Sequence, residues 1–141
     1  MPILEVHLVE GDHTPSEHAR LLEVLSRRYA EVLASPIERV RAYLTVHPRA
    51  SWAVGGVVDT APAPFFTALV LEGRPVEQRH RLLAAFTDDL VAVLRVERAR
   101  VRGRVIEVPP DDWGIGGEPA SGVRRNEIAD RSALRSAAVD R

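Results

Sequence analysis

The chain has 141 residues, which fits one compact domain better than two. Hydrophobic residues make up 45% and charged residues 28%, an ordinary globular balance that argues against wholesale disorder. The net charge of −1 gives no electrostatic reason to expect a nucleic acid or an anionic membrane as partner, and the lack of cysteine excludes disulfides, thiol catalysis and zinc–thiolate sites. No apolar run approaches the roughly 20 residues of a membrane-spanning helix. Residues 2–9 alternate and carry Glu5 and His7, unlike an export signal. The expectation is a soluble, cytoplasmic protein.

From the N-terminus, Leu4, Val6 and Leu8 alternate with Ile3, Glu5 and His7, which is strand periodicity. Thr14-Pro15-Ser16-Glu17 then forms a capping box, with Thr14 as N-cap and Pro15 at the first helical position. Leu21, Leu22, Leu25, Tyr29, Val32 and Leu33 recur at three- and four-residue steps, so the helix has one apolar face, and Ser35-Pro36 ends it. Val40, Ala42, Leu44 and Val46 alternate as a second strand, closed by Trp52 and Gly55-Gly56. A Pro-rich linker follows at 57–63. The same grammar then returns: a strand over 65–71, a helix opened by Pro75 with Leu82, Leu83, Phe86, Leu90 and Leu94 buried, and a strand over 100–108.

This recurrence is an internal duplication. Residues 39–56 (RVRAYLTVHPRASWAVGG) match residues 100–117 (RVRGRVIEVPPDDWGIGG), with Arg41 to Arg102 and Trp52 to Trp113 both 61 apart. Pro2 and Pro64, at the strand starts, are 62 apart, so one residue has been gained or lost within the helical part of one copy. A crossover of this length makes the strands of each βαβ unit parallel and puts its helix on one face. The expected fold is therefore α/β: two tandem βαβ repeats, 2–56 and 64–117, forming one domain over 1–124. Their four-stranded mixed sheet carries two helices on one face. The other face, including Phe65 or Phe66, is expected bare and in need of a partner subunit. Residues 125–141 have no clear apolar stripe and read as a mobile tail, or a short helix that forms on a neighbour.

Two motifs resemble the 4-oxalocrotonate tautomerases of the tautomerase superfamily. One is Pro2-Ile3-Leu4-Glu5-Val6-His7-Leu8-Val9-Glu10-Gly11, and the other is Trp113-Gly114-Ile115-Gly116-Gly117-Glu118-Pro119-Ala120-Ser121, followed by Val123-Arg124-Arg125. With the repeat, the resemblance spans residues 2–125, and the chain looks like two family subunits fused head to tail. It implies a tautomerase/MIF-like fold, a homotrimer that imitates the hexamer of unfused enzymes, and no cofactor or metal. It implies catalysis by Pro2 once Met1 is removed, with Arg74, Arg41, Arg102 and Trp113 binding substrate. The arginine after the E-G turn is Arg74 in copy two but Asp12 in copy one, whereas the proline nitrogen of copy two, at Pro64, is locked in a tertiary amide and cannot act as a base.

The chemistry is consistent with this set. An α-amino group titrates near ~8, and desolvation and neighbouring arginines move it toward neutrality. Such an amine can take a proton from one atom and return it to another, while guanidinium forks hold carboxylates in two places and stabilise enolate charge. The implied activity is cofactor-independent keto–enol isomerisation of a small unsaturated 2-oxo or 2-hydroxy carboxylic acid, as in aromatic degradation. One alternative is a superfamily hydratase or dehalogenase, although the positions expected to hold its carboxylate and extra arginine are Ile115 and Leu71. Another is a malonate-semialdehyde-type decarboxylase, for which Glu38 sits near the required acid. A third, of another class, is a non-catalytic trimeric binding or assembly protein. The five histidines are not spaced as a metal motif.

Overall fold

The computed structural model describes residues 2–140. Its centre is a four-stranded sheet in the order β2-β1-β5-β6, made of β1 (Ile3–Val9), β2 (Arg41–His47), β5 (Phe65–Leu71) and β6 (Arg102–Val108). β1 pairs parallel with β2, and β5 parallel with β6. The two halves join through the antiparallel β1–β5 pair, in which Glu5 faces Thr67. The sheet is thus mixed, as expected. Because β1 and β5 run in opposite directions, Pro2 and Pro64 sit at opposite ends of it.

The helices α1 (Pro15–Leu33) and α2 (Val76–Leu94) cover one face. Alternation along the strands sends Leu4, Val6 and Leu8 and their counterparts Phe66, Ala68 and Val70 toward them, against Leu21, Leu25, Tyr29, Leu82, Phe86 and Leu90. Phe66 therefore belongs to the core, and Phe65 is the residue of the pair that faces outward. Tyr29 is fully buried, its hydroxyl donates to the Leu69 carbonyl at 2.7 Å, and its ring meets Phe86 edge-on. Across the helix pair, Arg28 clasps the buried carboxylate of Asp89 at 3.0 and 3.1 Å.

The helices have equal length, so the missing residue does not lie within them. It lies in the turn before the helix, where Gly11-Asp12-His13-Thr14 of copy one stands against Gly73-Arg74-Pro75 of copy two. The longer turn has room for the Thr14–Glu17 capping box, with both hydrogen bonds made at 3.1 Å. The shorter one places Pro75 at the N-cap with no side-chain cap.

Each copy continues into a small hairpin: β3 (Ala53–Val54) with β4 (Val57–Val58), and β7 (Gly114–Ile115) with β8 (Glu118–Pro119). Gly55-Gly56 and Gly116-Gly117 all have positive φ, so both glycine pairs are turns. The first hairpin carries two residues of the stretch expected to be linker. After the second come α3 (Ala120–Val123) and α4 (Arg125–Val139). The segment expected to be a mobile tail is thus a 15-residue helix over most of its length. Ion pairs rather than an apolar stripe attach it, through Glu127 to Arg39 and within the helix from Glu127 to Arg131.

The uncovered sheet face is only partly apolar. Ile3, Leu69, Leu71 and Val108 gather with Trp113, Ile115 and Ala120 at one end. Toward the other end the face is polar: His7 Nε2 lies 3.0 Å from Glu5, His7 Nδ1 lies 2.8 Å from His47 Nε2, and Thr45 donates to Glu5 at 2.7 Å. The Thr45 hydroxyl is the main reason the Glu5 carboxyl sits below its usual pKa.

Candidate active site

Pro2 opens β1 and is buried, with its carbonyl accepting the Arg41 N–H at 2.9 Å. It faces a cavity of about 20 Å³ at the C-terminal end of α1, whose walls include Leu33, Val70 and Leu71. Four arginines reach this cavity: Arg39, Arg74, Arg124 and Arg131, together with the single carboxylate of Glu127. Arg39, Arg74, Glu127 and Arg131 also line a cleft of about 1050 Å³ that runs between α4 and the start of α2.

Arg74 follows the β5 turn. Its Nη1 donates to the Leu33 carbonyl at 3.3 Å and to Gln78 Oε1 at 3.0 Å, and Gln78 in turn donates to the Val32 carbonyl at 3.1 Å. Although Arg74 precedes the N-terminus of its own helix, its guanidinium thus sits at the C-terminus of α1. There the helix dipole favours a cation, and the open carbonyls of the last turn need donors. Burial, reinforced by Arg131, pushes the Arg74 pKa down to about 10, which leaves it charged at neutral pH. The result is a desolvated cation beside the proline.

The other sequence-predicted residues are not brought into this cavity within one chain. Arg41 shares the Pro2 end of the sheet, but its exposed side chain turns back to the carbonyls of Glu38 and Val40. Arg102 lies at the opposite end, beside Pro64, and folds likewise onto the carbonyls of Ala99 and Val101. Trp113 is 7% exposed and packs on the uncovered sheet face against Leu71 and Ala120. Ile3, the neighbour of Pro2, packs against that same cluster. Glu38 is exposed and does not line the cavity.

Arg39, like Arg124, Glu127 and Arg131, lines the cavity without being a site residue expected from sequence. It ends the short 3-10 turn Ile37–Arg39 after α1 and makes a two-pronged pair with Glu127, both contacts at 3.2 Å. Its position was visible at the head of the repeated RVR string, but a sequence cannot say which of two neighbouring arginines turns toward the proline.

At the Pro64 end the same framework is filled differently. Asp12 replaces Arg74 and is paired with Arg49, which also binds Asp59. Arg100, the counterpart of Arg39, donates to the linker carbonyls of Ala61 and Pro62. Pro64 is buried and has a tertiary amide nitrogen. Among the described residues, this end thus has an amide in place of an amine, and its Arg49 and Arg100 are engaged within the chain.

The fold and site thus define an α/β protein of two βαβ repeats with a strand-initial proline set among arginines. Residues 64–121 match the model of the family described as "Tautomerase enzyme". The chain is 39% identical over 62 residues to the 2-hydroxymuconate tautomerase of Pseudomonas sp. (strain CF600), covering 44% of this chain and 98% of that protein. Among solved structures it resembles a native fused 4-OT at 33% identity and a TM-score of 0.81, over 87% of this chain and 99% of that one. An asymmetric trimer of another fused 4-OT follows at 29% identity and a TM-score of 0.80, over 86% and 98%. The chain belongs to the tautomerase family, as a fused 4-OT-like member, and is an isomerase of that superfamily. Among the described residues, no helix is long and apolar enough to cross a membrane.

Proposed function

We propose that the protein is a cofactor-independent tautomerase of a small unsaturated 2-oxo or 2-hydroxy carboxylic acid, with Pro2 as the proton shuttle. The observation that carries this reading is the contrast between the two ends of the sheet. The only strand-initial proline that processing could convert to a free amine is the one facing Arg74, Arg39 and a cavity. Removal of Met1 would leave a secondary amine there. Its nitrogen lone pair accepts the proton of an enol hydroxyl, and the resulting ammonium returns it to a carbon of the same substrate, so proton count is conserved. Arg74 sits where it can hold a carboxylate or steady the oxygen charge that builds as the proton leaves. Leu71 and Val70 keep water from the amine, and the cavity's carboxylate, Glu127, is held by Arg39 rather than free to activate water, so the site favours internal proton transfer over hydration. The related Pseudomonas enzyme is named for 2-hydroxymuconate, which makes that dicarboxylate the first substrate to try.

Assembly as a homotrimer is part of the proposal. The apolar end of the uncovered sheet face needs a partner surface, fused 4-OT neighbours are trimers, and cyclic symmetry closes such contacts. In a trimer the exposed Arg41 and Arg102 and the nearby Trp113 would be placed to complete a neighbouring copy's site.

The test combines mass spectrometry with turnover of 2-hydroxymuconate and phenylenolpyruvate. Mature protein should begin at Pro2, take up one 2-oxo-3-pentynoate per chain (a compound that inactivates a structural relative at 26% identity) and lose activity by orders of magnitude on Pro2→Ala. Normal turnover by Pro2→Ala, or by protein that keeps Met1, would remove the role given to the amine.

A further inference from the structure

The helix α4 lies beyond the residues matched by the family model, yet it furnishes two of the five charged groups around the Pro2 cavity. Glu127, in its first turn, meets the Arg39 guanidinium in the fork geometry by which arginine recognises a carboxylate. Both contacts, at 3.2 Å, are longer than the ~2.7–2.9 Å of a tight charge-assisted pair. Arg131, one turn on, approaches the same carboxylate only to 3.7 Å, and its Nη1 is buried with no hydrogen-bond partner among the described residues. Four arginines around one carboxylate leave an excess of positive charge, and that buried N–H group still lacks an acceptor.

We infer that Glu127 is an internal stand-in for a substrate carboxylate: it occupies a seat built by Arg39 and Arg131 at the edge of the Pro2 cavity, and an incoming carboxylate displaces it. The inference rests on the reading of Pro2 and Arg74 as the reacting end of the site, and it adds what happens at the far end of the substrate. Three further features fit displacement. Among the described residues one ion pair ties the helix to the body, and Leu134 and Val139 are exposed, so little apolar burial opposes a shift of α4. The seat is peculiar to the Pro2 end, because Arg100, the counterpart of Arg39, is bound to linker carbonyls instead. A monocarboxylate can use Arg74 alone, whereas a dicarboxylate can use Arg74 and displace Glu127 as well. The seat therefore selects for dianions, and Glu127 sets the threshold that a second carboxylate must overcome.

The experiment titrates adipate, an unreactive six-carbon dicarboxylate, and butyrate into the Met1-free full-length protein by calorimetry. Glu127→Gln keeps shape and hydrogen bonding but removes the competing charge. It should lower the adipate Kd at least fivefold and leave butyrate within twofold. Arg131→Gln should raise the adipate Kd about tenfold. Far-UV circular dichroism of both variants checks that α4 persists. Unchanged or weaker adipate binding in Glu127→Gln, or an equal change for butyrate, would overturn the displacement. The same titrations on Pro2→Ala separate the two readings. Preserved adipate binding with the Glu127→Gln gain, in a wild type that turns over no enol, would sink the shuttle and keep the seat. Normal turnover without the gain would do the reverse.

Discussion

Gly103 on β6 offers the sharpest test of how the duplicated halves are packed. A Cβ added there would lie 2.1 Å from Cζ of Phe66 and 2.4 Å from both of its Cε atoms. Ordinary carbon–carbon contact is ~3.5–4.0 Å, so the ring would have to retreat by more than an ångström. It has nowhere to go: Phe66 is 1% exposed and stands edge-on to Phe86, which is itself edge-on to Tyr29. In copy one the equivalent neighbours are Leu4 and Ala42, so the smaller side chain admits a Cβ where the phenyl ring forbids it. Gly103→Ala should therefore cost about 2–3 kcal/mol through overpacking, and Phe66→Leu alone about 1–2 kcal/mol through the volume it vacates. The double variant rebuilds the copy-one pair. In the Phe66→Leu background the alanine meets no ring and gains the ~0.5–1 kcal/mol by which glycine weakens a strand. Its effect should then change sign, giving a coupling energy of about 3 kcal/mol. Denaturant unfolding at one fixed protomer concentration measures the cycle, because an oligomer's stability shifts by mass action. Additive single effects, or a neutral Gly103→Ala in the wild-type background, would refute the reasoning.

Thr14→Ala removes the N-cap of α1 and should cost about 1 kcal/mol, seen as a loss of about 2–4 °C in Tm for a chain of this size, while Thr14→Asp should retain most of it. Arg28→Ala strands the buried Asp89 carboxylate. It should cost about 2–3 kcal/mol, below the figure for fully buried pairs because Arg28 is half-exposed, and adding Asp89→Asn should recover part of the loss in the same melts. Thr45→Val should raise the Glu5 pKa back toward 4.5, as read by carboxyl-carbon NMR. Because that pKa is depressed in the folded protein, its stabilisation is present above pH 4.5 and is lost as pH falls through the folded value. The stability gap between wild type and Thr45→Val should therefore be widest near neutral pH and close on acidification, and a gap that widens in acid would contradict the assignment.

The strands and long helices were legible because their signals are local. Period-two alternation fixed which residues of β1 face the helices, and the Thr14–Glu17 box marked the start of α1. From sequence, the single-residue difference between the copies can be located only between matched landmarks, which bracket the turn and the helix together. The turn residues Asp12–Thr14 and Arg74–Pro75 share no pattern that would have narrowed it further. α4 escaped because periodicity scores apolar residues, while this helix depends on Glu127 bridging Arg39 and Arg131. The arginines were the least legible part of the site. A guanidinium reaches several ångströms in any direction from its Cα, and its aim is decided by the acceptors near it. Arg41 and Arg102 found carbonyls one and three residues away, Arg74 found the end of α1, and Arg39 found Glu127.

The asymmetry between the two ends follows from a constraint of fusion. When two βαβ units become one chain, only the first can present a free N-terminal amine, and the second proline becomes an amide whatever selection favours. Residues around that second proline are then released from serving it. Around that second proline, Arg49 is neutralised by Asp12 and Asp59, while Arg100 fastens the linker through its carbonyls and keeps its charge. At the Pro2 end no such internal neutralisation is complete. Arg74 is held by neutral carbonyl and amide oxygens, which orient it without cancelling its charge. Arg39 is met by the carboxylate of Glu127, which Arg131 also approaches and which is supplied from outside both repeats. Among the described residues, the Pro2 cavity thus gathers four arginines around one carboxylate whereas the Pro64 end sets Arg49 between Asp12 and Asp59, and that difference in charge balance supports the proposed place of the reacting anion at Pro2.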